Sequence, residues 1–365
     1  MICKEAEYIS FRNIENQKIE FENGINIIYG NNAQGKTNAL EGIYLCAQGR
    51  SHRTVHEKDF VSFDKELGSV RVVYDDGRRE NSIKMVFSRD KKRYIEKNSY
   101  RVQRLSEIIG EFTCVLFTPE HLSIVKDGPL KRRSFIDSAI SQLDSEYLRA
   151  LQRYQKSLIA RNKLLQDARE SGILSDTISV WSESLAIESE IISIKRFEYI
   201  ERLNSLIKVI FSDMTNGVEK PKLIYRAVRS KSEFYEIFTK NLEREISLGS
   251  TIEGIHKEDI LILLNGKDAR SFASQGQQRS LALSLKLSEG EISKEEKGMY
   301  PVFLFDDILS ELDITRQRYL INGLKNMQVI ITTCEENINS NDIVDGIKID
   351  SANHIYAEGG KYRRV

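Results

Sequence analysis

Gly30-Asn31-Asn32-Ala33-Gln34-Gly35-Lys36-Thr37 satisfies the pattern G-x-x-x-x-G-K-[ST] at every fixed position. Its flanks decide its meaning. After the turn at Asn23-Gly24, Ile25 to Tyr29 reads as a short buried strand; Thr37 to Ala47 then reads as a helical run. A strand, a glycine loop and a helix in that order predict a phosphate cradle. The two glycines permit backbone conformations that turn amide N–H groups toward phosphate oxygens. The helix N-terminus adds partial positive charge. Lys36 would set a point charge against the terminal phosphates, and Thr37 would offer a hydroxyl to Mg²⁺. All eight residues are candidate ATP contacts, and Lys36 is a candidate catalytic residue.

Such a loop needs an acidic partner. Val302 to Phe305 is a continuous apolar run, as expected of a strand covered on both faces, and it ends in Asp306-Asp307. Asp306 is the candidate second Mg²⁺ ligand beside Thr37. Asp307 is the candidate catalytic residue that orients the attacking water. Val329 to Thr332 is a second apolar strand of the same kind.

Two more segments narrow the class. Ser274-Gln275-Gly276-Gln277-Gln278-Arg279 stands just before a helical run from Ser280 to Ser288, and Ser310-Glu311-Leu312-Asp313 follows Asp307. Ala273 to Gln277 resembles the Leu-Ser-Gly-Gly-Gln signature of ABC-type ATPase heads at Ser274, Gly276 and Gln277. The resemblance implies that these three residues bind, in trans, the γ-phosphate held by a partner copy. It extends to Phe11-Arg12-Asn13, Gly49 to Thr54, Phe117 to Leu122, and Pro129 with Arg132 to Asp137. Together these segments resemble the bacterial RecF family of SMC-like ATPases. That family implies an ATP-dependent homodimer that binds DNA, acts in single-strand gap repair with RecO and RecR to load RecA, and is linked to replication and the SOS response. Two departures imply slow hydrolysis. Asp307 stands where transporter subunits carry Glu, and Thr332-Thr333-Cys334 has no switch His. Phe117 to Glu120 takes the place of the Gln-loop without a Gln.

The predicted fold is α/β: an ABC-type P-loop head of mixed sheet and helices with an inserted helical arm. Strand signals occupy both ends of the chain, including Ser69–Tyr74, Ile83–Phe87, Cys114–Phe117, 221–228 and 259–264. The middle differs. Between Leu130 and about Ile210 there is no proline and one glycine, Gly172, and Tyr147, Leu151, Tyr154, Leu158 and Leu165 recur at helical spacing. A break near Gly172 predicts two long antiparallel helices. The expected division is a head of residues 1–130 plus 219–365 and an arm of residues 131–218.

Composition sets outer bounds. At roughly 150 residues per domain, 365 residues suggest two domains, perhaps three. Lys+Arg and Asp+Glu are both 54, so global charge does not drive nucleic-acid binding, and a basic patch must be local. No apolar stretch is long enough to span a bilayer, and the N-terminal residues lack the apolar centre of a signal peptide. A soluble, cytoplasmic protein with no membrane partner is expected. Four scattered cysteines without a CxxC point to reduced thiols rather than disulfides or zinc.

Residues 89–104 hold seven basic and two acidic side chains with Tyr94 and Tyr100 interleaved. Lys91, Lys92 and Arg93 there, and Arg149, Arg153 and Lys156 on the first arm helix, are the candidate DNA contacts. Solvated surface is the alternative for both. Two other functions fit the nucleotide motifs: a transporter's nucleotide-binding subunit, and a DNA clamp in which ATP is structural glue with negligible turnover.

Overall fold

The computed structural model describes residues 1–215, 217, 219–324, 326–334 and 352–365, and the backbone of short strands at 338–339, 343–344 and 347–348. It separates into two compact units. One comprises Met1–Leu122, Ile210–Val218 and Gln275–Val365; the other comprises Ser123–Val209 and Glu219–Ser274.

The first unit is α/β. Its antiparallel sheet has the order Ile14–Glu20, Ile2–Phe11, Leu67–Asp75, Glu80–Ser88, Tyr94–Lys97, Tyr100–Val102. Glu80–Ser88 shows why these residues form such a sheet: Asn81, Ile83, Met85 and Phe87 are buried while the residues between them are not. The second sheet has the order Lys361–Arg364, Asn353–Glu358, Ile25–Tyr29, Val329–Thr333, Val302–Asp306, Cys114–Phe117. Its last five strands are mutually parallel. Three of them, Cys114–Phe117, Val302–Asp306 and Val329–Thr333, are buried along their whole length, as continuous apolar runs require.

The helix Lys36–Gln48 lies between the two sheets. Its Leu40, Ile43, Leu45 and Cys46 share one core with Tyr8, Val70 and Phe87 of the first sheet and Ile28, Leu304 and Ile330 of the second. Register does the rest. Asp306 pairs with Thr332, Thr333 with Tyr29, and Phe305 with Phe117. The loop after Tyr29 and the acidic strand end thus meet at the carboxyl edge of the parallel sheet, where α/β sheets bind ligands.

The second unit is mainly helical: Pro129–Leu143, Ser145–Ser171, the start of Ile178–Thr215, Lys231–Lys240 and Leu242–Leu248, with a three-stranded sheet of Lys267–Asp268, Leu261–Leu264 and Pro221–Ile224. Asp144 caps the helix Ser145–Ser171 by accepting from the Glu146 and Tyr147 amides at 2.8 and 3.1 Å, and left-handed Gly172 ends it. The two long helices fall where the sequence places them. The expected boundary at residue 218 does not match this grouping, because residues 219–274 belong to the helical unit. Fully buried Arg161 requires them: it donates to Thr251 Oγ1 at 2.7 Å and the Phe238 carbonyl at 2.8 Å, and pairs with Glu245 at 2.6 Å. Asn204 brackets the Leu223 backbone with two hydrogen bonds of 2.7 and 2.9 Å.

Candidate functional site

Gly30 and Gly35 have φ of 151° and 103°, in the region that L side chains avoid. A Cβ on Gly30 would lie 2.1 Å from the Ala357 carbonyl oxygen. Lys36 is nearly buried, and its ammonium donates to the Gly30 and Asn31 carbonyls at 2.6 and 2.8 Å. The ammonium therefore sits inside the loop, where it could reach the terminal phosphates of a bound nucleotide. Gln34 is fixed from the chain's far end: its side-chain oxygen accepts from the Gly359 amide at 2.5 Å and its carbonyl from the Gly360 amide at 3.1 Å. Tyr362 donates its hydroxyl to the Gly35 carbonyl at 2.9 Å. No sequence motif marks this C-terminal hairpin.

Thr37 and Asp306, 269 residues apart, meet directly: the Thr37 hydroxyl donates to Asp306 Oδ1 at 2.9 Å. Thr332 donates to the same oxygen at 2.6 Å. Burial pushes the Asp306 carboxyl up from its ordinary value, and the Thr332 and Thr37 hydroxyls oppose that shift. The donor set suits Mg²⁺. One carboxylate and one hydroxyl are few ligands, but Mg²⁺ takes its remaining ligands from water and substrate phosphates. Among the described residues no group of three or more His, Cys, Asp and Glu side chains could hold a metal without such help.

Asp307 has φ of 51°, left-handed for a residue with a side chain. Asp and Asn adopt that region several-fold more readily than most residues. This gives a local reason for Asp rather than Glu at the position. The Asp307 amide donates to Thr332 Oγ1 at 3.0 Å and to the Thr332 carbonyl at 3.2 Å. Thr332, at the end of the second apolar strand, thus touches both acidic candidates.

Two of the segments quoted for their resemblance, Phe11 to Asn13 and Gly49 to Thr54, converge on the helix Lys36–Gln48. Arg12 grips Glu41 with Nε at 3.0 Å and Nη2 at 2.9 Å, and Ser51 donates to it at 2.5 Å; the Glu41 side chain is fully buried. Asn38 donates to Asn13 at 2.8 Å, and Arg53 donates to Asn38 at 2.8 Å. Buried Glu41 explains why Arg12 and Ser51, distant in sequence, are needed together.

The signature residues stand at the N-terminus of the helix Gln275–Lys297, which begins five residues before the expected Ser280. Gly276 and Gln277 lie in its first turn, and Ser274 immediately precedes it. Arg279 donates to Glu311 at 2.5 Å, and Arg316 donates to Ser280 Oγ at 2.6 Å. Asp313 caps the helix Ile314–Gly323. The segment after Asp307 is thereby tied to the signature helix.

The basic candidates divide. Lys91 and Lys92 are exposed. Arg93 is committed to Glu57 at 3.1 Å and to the Gly49 carbonyl at 2.5 Å. On the helix Ser145–Ser171, Arg149 bonds Ser145 of its own turn, and Lys156 is exposed. Arg153 is held by Glu188 through two hydrogen bonds of 2.5 and 2.8 Å. Arg93 and Arg153, both candidates for DNA contact, thus each have a carboxylate neighbour from another segment.

Among the described residues no helix is long and apolar enough to cross a membrane. The RecF/RecN/SMC N-terminal domain family matches residues 3–354. DNA replication and repair protein RecF of Agathobacter rectalis is 40% identical over 332 residues, covering 91% of this chain and 92% of its own length. The RecF protein of Lachnospira eligens is 38% identical over 362 residues, covering 98% and 100%. A solved structure of the recombination mediator protein RecF with ATP in the RecFOR pathway has 35% identity and a TM-score of 0.90, covering 100% of this chain and 97% of that one. The Smc head domain of Pyrococcus furiosus, at 18% identity and a TM-score of 0.58, covers 100% and 95% and shares the ABC-ATPase head fold. The chain belongs to the RecF family of DNA replication and repair proteins.

Proposed function

We propose that the protein is an ATP-driven DNA-binding switch of recombinational repair in a RecFOR-type pathway. The observation that carries this reading is the hydroxyl–carboxylate chain Thr37–Asp306–Thr332 at the mouth of the glycine loop, with Asp307 next to it. Relatives named as DNA replication and repair proteins, and a RecF structure with ATP, support it.

Lys36 and the amides of Gly30 to Thr37 bind the phosphates. Thr37 and Asp306 hold Mg²⁺, which when bound neutralises charge on the transferring phosphoryl group. Asp307 orients the attacking water. Ser274, Gly276 and Gln277 bind in trans the γ-phosphate held by a second copy, so two nucleotides close a homodimer. Arg279 and Arg316 transmit that contact to the segment after Asp307. Closure brings exposed Lys91, Lys92, Arg149 and Lys156 onto DNA. Slow hydrolysis resets the dimer, and RecO- and RecR-like partners act with it to load RecA, linking it to replication and the SOS response.

Asp307→Asn tests the assignment. Asn keeps the left-handed backbone and the volume while removing the charge. Dimer lifetime and phosphate release are measured together. The variant should retain ATP and the closed dimer, hold DNA longer than wild type, and release phosphate slowly. Hydrolysis at the wild-type rate would remove Asp307 from the water-positioning role.

A further inference from the structure

Two separate sets of bonds hold the phosphate loop. From inside, the Lys36 ammonium donates to the Gly30 and Asn31 carbonyls. From outside, the hairpin of Asn353–Glu358 and Lys361–Arg364 reaches the loop at three points. The Gly359 amide donates to Gln34 Oε1, the Gly360 amide to the Gln34 carbonyl, and the Tyr362 hydroxyl to the Gly35 carbonyl. The two sets respond differently to a nucleotide. Phosphate oxygens attract the ammonium, so they compete with the inner bonds. They accept hydrogen bonds and do not donate them, so they cannot compete for the oxygens that the hairpin holds.

The geometry of the peptide gives the outer bonds a further consequence. In a trans peptide the N–H points away from the C=O of the same plane. The Gln34 carbonyl shares its plane with the Gly35 amide, and the Gly35 carbonyl with the Lys36 amide. A hairpin that holds these two carbonyls on one side therefore turns those two amides to the other. Burial raises the Tyr362 hydroxyl above its ordinary value, so it stays a donor.

The hairpin itself is anchored on both sides. Tyr356 pairs with Tyr29, the residue that leads into the loop, and their rings lie 5.4 Å apart. The Tyr362 amide donates to Gln17 of the first sheet at 3.0 Å. Glu358 pairs with Lys361, so the turn is two residues long; φ of 57° at Gly359 and 76° at Gly360 suit its tight reversal. A Cβ on Gly360 would lie 2.2 Å from the Asn13 carbonyl oxygen.

We propose that this hairpin is a strap that sets the phosphate loop for nucleotide, with Tyr362 as a positioning residue: holding the Gln34 and Gly35 carbonyls aims the Gly35 and Lys36 amides at the phosphates. The proposal rests on the phosphate-loop reading above and adds an element outside the motif that sets its affinity.

The test measures binding of ATP and of inorganic tripolyphosphate, each with Mg²⁺, by calorimetry, and amide hydrogen exchange of the nucleotide-free protein. Tyr362→Phe removes one hydroxyl and keeps the ring, and the Gly35 carbonyl keeps its bond from the Ala39 amide at 3.0 Å. The variant should weaken both ligands by the same factor, about three- to ten-fold, which corresponds to the usual worth of one hydrogen bond. Its Gly359 and Gly360 amides should exchange faster than in wild type. Arg363→Lys is the control. Arg363 lies 4.9 Å over the Tyr356 ring on the same hairpin, and Lys keeps its charge, so this variant should bind both ligands as wild type does. Wild-type affinity or unchanged exchange in Tyr362→Phe, a loss confined to ATP, or an equal loss in Arg363→Lys overturns the strap while the phosphate loop stands. Failure of the wild-type protein to bind either ligand overturns the phosphate-loop reading and the strap with it.

Discussion

Replacing Thr332 with Val removes one hydroxyl and almost no volume from a site that is 1% exposed. That hydroxyl donates to Asp306 at 2.6 Å and accepts from the Asp307 amide at 3.0 Å. The Asp307 amide keeps its bond to the Thr332 carbonyl, so the main loss falls on the Asp306 carboxylate. A hydrogen bond to a charged group contributes ~1.5–3 kcal/mol. Losing it should raise further the Asp306 pKa, which burial already raises. The sign follows from linkage. The lost bond stabilises the ionised form, so the stability gap between wild type and Thr332→Val is present above the Asp306 pKa. It closes as pH falls through that pKa. Urea melts at neutral pH and at acid pH measure the gap. The acid limb of the ATP hydrolysis profile should move upward in pH. An equal gap at both pH values, with an unmoved acid limb, would show that Thr332 does not hold the ionised carboxylate.

Ser274→Arg should leave ATP binding by the monomer intact and abolish the ATP-dependent dimer, because the serine acts on a partner's nucleotide; loss of nucleotide binding by the monomer would refute the trans geometry. His52 and His256 are both held down to about 4 by burial, below their ordinary value of 6.5. The unfolded chain therefore takes up protons first, and stability should be complete above pH 6.5 and decline as pH falls from there toward 4. Thermal melts across that window should show the slope, and His52→Asn with His256→Gln should flatten it; an unchanged slope would place the titrating groups elsewhere.

The glycine loop was legible because its chemistry is local: eight consecutive residues carry the backbone, the ammonium and the hydroxyl. Asp306 was legible because an apolar strand ending in a carboxylate is a short pattern. Thr332 was not, because its role comes from strand register, which pairs it with Asp306 across 26 residues. The two long helices were readable from apolar spacing and Gly172. Their extended unit was not, since buried Arg161 on one helix finds Glu245 and Thr251 more than 80 residues later. A basic residue at helical spacing does not reveal its ion-pair partner, so the pairing of Arg153 with Glu188 was not legible.

The most direct test of the account is the oligomeric state by analytical ultracentrifugation with ATP, with ADP and without nucleotide, for wild type and Lys36→Ala. The account predicts a wild-type dimer with ATP and Mg²⁺ alone, DNA retained by that dimer, and a monomer for Lys36→Ala in every condition. A wild-type monomer with ATP, or a dimer that forms equally well in Lys36→Ala, would contradict it.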